Sequence, residues 1–181
     1  MNIRRMDQTE LKRIADIDRS ERVTLGYKVC GDRLVSEPVD WRVPRWPGDP
    51  DNDWGYPARI RRLSTLLDDG GVVLGAWDGE RLAGFASLRY RLTETMAQLH
   101  GLFVSREYRR QGVASRLIEE IRRLAKEDGA SALYVSGTPS ESAVGFYLRQ
   151  GFRPVDKPHP ELLALEPDDI HMVMPLVSRK S

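Results

Sequence analysis

The feature that most constrains the fold is the order of apolar runs from Val72 onward. "VVLGAWDGERLAGFASLRY" holds two such runs joined at Asp78-Gly79, a strong hairpin signal. "MAQLHGLFV", Met96 to Val104, reads as a third strand. From Val113, apolar residues recur at 113, 114, 117, 118, 121, 124 and 125, one face of a helix that Gly129 stops. "ALYV" reads as a buried strand, "SAVGFYLRQ" as a short helix ended by Gly151, and "IHMVMP" as a last strand. Strands come first in a run and then alternate with helices. The expected fold class is therefore α/β (α+β): a single domain with a mixed, mostly antiparallel central sheet of about six or seven strands and helices on both faces.

The first part of the chain is less regular. "NIRRM" reads as a short strand, and Asp7 with Glu10 makes a capping box ahead of a helical stripe at Leu11, Ile14, Ala15 and Ile17. Residues 24–43 alternate as a loose hairpin turning near Gly31-Asp32. "PRWPGDPDNDWGYP", Pro44 to Pro57, has four prolines, two tryptophans and three aspartates, which makes it a long loop of the kind that often carries function. A helix with its stripe at Ile60, Leu63 and Leu66-Leu67 follows, stopped by Gly70-Gly71.

Composition excludes several classes. A chain of 181 residues with 40% hydrophobic and 30% charged residues suits one soluble domain. Lys and Arg total 28 against 27 Asp and Glu, so no global charge favours nucleic acid or a membrane surface. The arginines around residue 110 alternate with Glu107, Glu119 and Glu120, as on a solvated helix face. The single cysteine, Cys30, allows no internal disulfide and fits a reducing compartment. His100, His159 and His171 lie far apart without cysteine partners, so no metal site is expected. No apolar run has the length of a signal peptide or membrane span, and a cytoplasmic location is expected.

"YRRQGVASRL", Tyr108 to Leu117, stands between a strand and a helix. Amides at a helix N-terminus are unsatisfied donors, and the helix dipole adds about half a positive charge there. Gly112 with the small Ala114 and Ser115 lets an anion approach the backbone, and Arg109 and Arg110 add charge. Neither a P-loop nor a G-x-G-x-x-G dinucleotide fingerprint is present. Spacing alone leaves a phosphate cradle and an ordinary basic loop both open.

"LFVSREYRRQGVASRLIEEI" resembles the cofactor motif of the GNAT superfamily of N-acetyltransferases, Arg/Gln-x-x-Gly-x-Gly/Ala after a strand. "SESAVGFYLRQGFRPV" resembles that family's second motif, Asn-x-x-Ala-x-x-x-Tyr-x-x-x-Gly-Phe, with Ser140 in place of asparagine. The resemblance implies a variable, acceptor-side part over 1–71 and an acetyl-CoA-binding core over 72–176. It implies that the pyrophosphate lies on the turn from Gln111 through Gly112, Val113 and Ala114 to Ser115, beside Arg109 and Arg110. It further implies that the pantetheine arm pairs with the Phe103 and Val104 backbone and passes Ser140, and that Tyr147 protonates the leaving thiolate. No metal takes part in this reading. Gly101 is consistent with a bulge that would open the strand for the thioester.

"QLHGLFV" is similar to the His-Leu-His-Ala-Leu-x-Val strand of arylalkylamine acetyltransferases, with Gln98 for the first histidine and His100 matching the second. His100 is accordingly the expected base, and Glu21 a second acidic candidate at the acceptor site. Acceptor contacts are expected from Gln98 and from Trp41–Tyr56, which carries Trp41, Trp46, Trp54 and Tyr56. A further contact is Asp156–Asp169, whose five carboxylates against one lysine favour a cationic amine. The expected activity is transfer of acetyl from acetyl-CoA to a primary amine of a small molecule, by direct attack in a ternary complex. A peptide or protein amino group, and an acyl-CoA-binding module without catalysis, are the alternatives; a homodimer is compatible with any of them.

Overall fold

The structure, a computed structural model, describes residues 1–176. Among these residues nine strands form: β1 (Asn2–Arg5), β2 (Glu21–Cys30), β3 (Arg33–Val43), β4 (Val72–Asp78), β5 (Arg81–Arg89), β6 (Met96–Val104), β7 (Ala132–Gly137), β8 (Arg153–Pro154) and β9 (Ile170–Pro175). Seven of them make one sheet in the order β1-β4-β5-β6-β7-β9-β8, and β2 pairs only with β3 as a separate hairpin. The pairing of β6 with β7 is parallel and the rest is antiparallel, as hairpin links and one helical crossover require.

Helices cover both faces. Helix α2 (Val113–Glu127) buries Val113, Leu117, Ile118, Ile121, Leu124 and Ala125 against one face, together with Leu88, Leu99 and Val135 of the sheet. The other face carries Leu11 and Ile14 of a 3-10 helix (Gln8–Asp16), Ile17 at its C-cap, and Leu63 and Leu66 of helix α1 (Tyr56–Asp68), packed on Val73, Leu82 and Phe85. The Asp7–Glu10 capping box forms as expected. The helix it opens is 3-10, so its buried stripe repeats every third residue, and Ala15 is exposed rather than part of the stripe. Helix α1 starts at Tyr56, with Pro57 in its first turn, so the preceding loop is shorter than the proline content implies.

One helix lies where the sequence reads as loop, and another, read as a single helix, begins with a π turn. Within Asp156–Asp169, Pro160–Leu165 forms helix α4, with Pro160 at its start and Leu162 buried against Tyr134. Helix α3 (Phe146–Gln150) is preceded by one π turn, Glu141–Gly145, and ends on Gly151 at φ 101°.

The sheet opens at its centre. Strands β6 and β7 pair at only three positions, Met96↔Ala132, Ala97↔Leu133 and Gln98↔Tyr134, and then separate. On its other side β6 stays paired with β5 as far as Val104, but the register slips between Ser87↔Gly101 and Leu88↔Leu99. The extra residue in that slip is His100, so the bulge lies one residue before Gly101 and places Gln98, His100 and Phe103 on the face covered by α1.

Candidate active site

The turn leading into α2 has backbone geometry of its own. Arg110 adopts φ 63° and Gly112 φ 78°, and Arg110 is the one described non-glycine residue with positive φ. That conformation costs a side-chain-bearing residue about 1–2 kcal/mol, a strain that tends to persist at ligand sites. A Cβ placed on Gly112 would meet nothing within 4 Å, so the space over the helix start is open, and the positive φ is what calls for glycine. The N-terminus of α2 has no side-chain cap and no acidic residue in its first turn, unlike the 3-10 helix capped by Asp7. Open space, free amides and no competing carboxylate fit a diphosphate.

The two arginines differ in role. Arg109 turns inward: its Nε donates to the Val104 carbonyl at 3.3 Å and its Nη1 to the Ser20 carbonyl at 3.2 Å, and it pairs with Glu21 at 3.3 Å. Glu21 also accepts from Ser142 Oγ at 2.7 Å. The pair ties the turn to β2 and to the π turn, so Glu21 stands as a strut rather than a free carboxylate. Arg110 is exposed, and the Gln111 side chain folds back to the Glu107 carbonyl at 2.8 Å.

Tyr147 lies at the open end of β7. Its ring packs so closely on Gly137 that a Cβ there would stand 3.1 Å from it, and Phe152 meets its edge at 5.4 Å between centroids. Burial, with Asp169 and Glu166 nearby, pushes the phenol well above its usual range, so it stays protonated. Ser140 is only 1% exposed. Its hydroxyl accepts from the Ala143 amide at 3.3 Å and lies 3.0 Å from Ser142 Oγ, so it serves as the cap of the π turn.

The bulge lies on β6 where that strand parts from β7, and the gap between the two strands is the candidate cleft. His100 Nδ1 and Ser87 Oγ share a hydrogen bond of 3.2 Å. Burial, and then Arg59, Arg89 and Arg62, lower the imidazole from 6.5 to about 4. It is neutral at pH 7 yet a poor match for taking a proton from an ammonium. Gln98 is 4% exposed and its Oε1 has no partner among the described residues.

Of the tryptophans in the expected acceptor segment, Trp46 is the one buried beside β6. It packs edge-on against Phe103 at 4.8 Å, whereas Trp54 is 74% and Trp41 38% exposed. Trp41 lies against Gly26 within the β2–β3 hairpin. Arg59, which sequence reasoning passed over, sits with its guanidinium 4.4 Å from the Phe103 ring and 4.9 Å from Trp46. It precedes Leu63 by four and Leu66 by seven positions, so it continues the buried stripe of α1, and that spacing was its available signal. Burial lowers it to about 10, which leaves it charged.

The opposite wall is fixed by a buried network. Tyr134 Oη lies 2.8 Å from His171 Nδ1 and accepts the His159 amide at 3.0 Å, while His171 Nε2 reaches the Glu166 carbonyl at 3.0 Å. This network anchors the segment that carries Glu166, Asp168 and Asp169. Burial and its two acidic neighbours raise Asp169 from 3.8 to about 6.

Comparison with known proteins agrees with this arrangement. The model of the acetyltransferase (GNAT) family matches residues 35–152. Human N-acetyltransferase 8 is 38% identical over 63 residues, 34% of this chain, and the matched stretch spans 28% of the human protein. Nourseothricin acetyltransferase superposes with a TM-score of 0.73 at 20% identity, over 97% of this chain and 98% of that one. A streptothricin acetyltransferase of Bacillus anthracis, solved with acetyl coenzyme A, gives 0.67 at 19% identity over 95% of both chains. An aminoglycoside 6'-N-acetyltransferase, solved with coenzyme A, gives 0.66 at 14% identity over all of both chains. At these identities the superpositions speak for the fold, and the family match covers most of the chain. An open sheet, an uncapped helix behind a left-handed glycine turn and a tyrosine at the mouth of the opening thus accompany the family assignment: the chain belongs to the GNAT family of acetyltransferases.

Proposed function

We propose that the protein is an N-acetyltransferase that moves the acetyl group of acetyl-CoA to a primary amine of a small molecule, by direct attack in a ternary complex. The observation that carries this reading is the opening between β6 and β7, with the uncapped α2 turn following the end of β6 and Tyr147 packed on the end of β7. Nourseothricin, streptothricin and aminoglycosides, in the names of the superposing proteins, favour a small acceptor.

The amides of Gln111 to Ser115 hold the pyrophosphate, with Arg110 adding charge and Arg109 bracing the loop. The free edge of β6 at Phe103 and Val104 receives the pantetheine arm as an added strand. Acetyl-CoA supplies an acetyl group activated as a thioester. Ser140 acts on that arm only through the π turn it caps. Asp169 takes the proton of the entering ammonium, its carboxyl being closer to neutral pH than His100. His100 and Gln98 then face the acceptor as neutral hydrogen-bonding groups. Tyr147, held protonated by burial, donates to the departing thiolate. The exposed thiol of Cys30 suits a reducing cytoplasm.

The test is release of free CoA thiol from acetyl-CoA against a panel of amines and peptides, with the N-acetyl product identified by mass. Amine-dependent release with small molecules is expected. Release with peptides alone would move the acceptor to proteins, and no release with any acceptor would reduce the protein to a binding module.

A further inference from the structure

We propose that the acceptor is an amine carrying a carboxylate in the same molecule, and that Arg59 is the group that receives this carboxylate. The proposal rests on acetyl transfer in the cleft as read above and names the chemistry of its acceptor.

Cations gather on the β6 side of the cleft, and carboxylates lie on the segment tied to β9, with no ion pair between the two groups among the described residues. On one wall, Arg59 and Arg19 both lie over the Trp46 ring, at 4.9 and 5.5 Å. Arg62 follows on the same helix. Arg19 donates to the Pro44 carbonyl and Arg62 to the Asp53 carbonyl, and Arg59 Nε is buried with no acceptor among the described residues. None of the three forms an ion pair among the described residues. Glu166, Asp168 and Asp169 on the other wall form none either. Arg89, the remaining cation near His100, is matched by Glu161 at 2.7 Å. Arg59 feels Glu166 across the gap, yet the two stay beyond contact.

Burying a guanidinium without a partner is costly, and a ligand carboxylate would offset that cost. The position of Arg59 selects which ligand. Its Nη1 stands 3.8 Å from where a Cβ on Gly101 would be, beside the bulge and over Phe103, not at the Gln111–Ser115 turn. It therefore meets the acceptor rather than the diphosphate. The planar fork of arginine suits a carboxylate held by two parallel hydrogen bonds. The ammonium end is left to Asp169 and Glu166, and Gln98 Oε1 on β6 is a further acceptor without a partner among the described residues. A purely cationic amine would satisfy one wall and leave Arg59 bare.

The experiment compares matched pairs: L-phenylalanine with phenethylamine, L-histidine with histamine, L-lysine with cadaverine. Wild-type protein is expected to acetylate the carboxylated member of at least one pair with kcat/KM at least about tenfold above its decarboxylated partner. In Arg59→Gln that ratio should collapse toward one through a rise in KM, and Arg59→Lys should restore part of it. Equal use of both members by the wild type, or preference for the bare amine, overturns the proposal. So does an equal loss on both members in Arg59→Gln, which would make the arginine a general support of the reaction. Acetyl-CoA binding, read separately as a rise in melting temperature, keeps the two readings apart. A rise without acetylation of any amino acid sinks the carboxylate alone, and no rise sinks the cofactor site beneath it. If Arg59→Gln does not fold, the wild-type ratios and Arg59→Lys decide.

Discussion

His100 and Asp169 titrate in opposite senses over nearly the same pH range, and this makes the electrostatics of the cleft measurable as stability. Burial and the cations Arg59, Arg89 and Arg62 hold His100 near 4 against 6.5 when unfolded. A depressed histidine contributes stability that is present above 6.5 and lost as pH falls toward 4. The drop from 6.5 to about 4, at about 1.36 kcal/mol per pH unit, is worth about 3 kcal/mol. Asp169 moves the other way, from 3.8 to about 6, so its contribution is present below 3.8 and lost as pH rises through about 6. Solvent screening at this partly exposed carboxyl reduces its share to about 2 kcal/mol. The two nearly cancel in the wild type, and single variants uncover each. Urea unfolding should be followed from about pH 7 to about pH 4 at constant ionic strength. Relative to wild type, His100→Gln should gain about 3 kcal/mol on acidification, and Asp169→Asn should lose about 2 kcal/mol. A His100→Gln profile parallel to wild type would refute the reasoning, because the imidazole would then titrate normally in the folded protein.

Three further outcomes follow from named contacts. Gly112→Asp puts a carboxylate and a left-handed side chain over the α2 amides, so acetyl-CoA should no longer raise the melting temperature; a retained rise would displace the diphosphate from that turn. Tyr147→Phe keeps the ring on Gly137 and Phe152, so the cofactor-induced rise should persist while turnover drops by about a hundredfold; full turnover would remove the phenol as proton donor. Gly137→Val drives side-chain atoms into the Tyr147 ring and should cost about 1–3 kcal/mol in urea unfolding, whereas a neutral result would contradict the packing.

What the sequence made legible was local. The ends of β6, the Asp7–Glu10 box and the glycine stops at 129 and 151 depend on neighbours a few positions away, and each appears where its pattern puts it. The apolar stripe of α2 likewise gave the face that the helix buries. Departures come from partners distant in the chain. Arg109 looks like a phosphate ligand until Glu21, 88 positions away, claims its guanidinium. Strand alternation places Gln98 and His100 together, but the extra residue that moves the bulge to His100 is visible only in the pairing with Ser87 and Leu88. Trp46 and Trp54 are alike in composition, and only the packing of Phe103 separates the buried ring from the exposed one. Arg59 needed both the stripe of α1 and the aromatic face it lies on.

The central claim is that coenzyme A is held by the backbone of the α2 turn and by the free edge of β6. Backbone amide NMR during titration with acetyl-CoA tests it directly. The largest shifts are expected at Gln111 to Ser115 and at Phe103 and Val104, with smaller ones at Gly137 beside Tyr147. Shifts confined to other surfaces, with those amides unmoved at saturation, would contradict it.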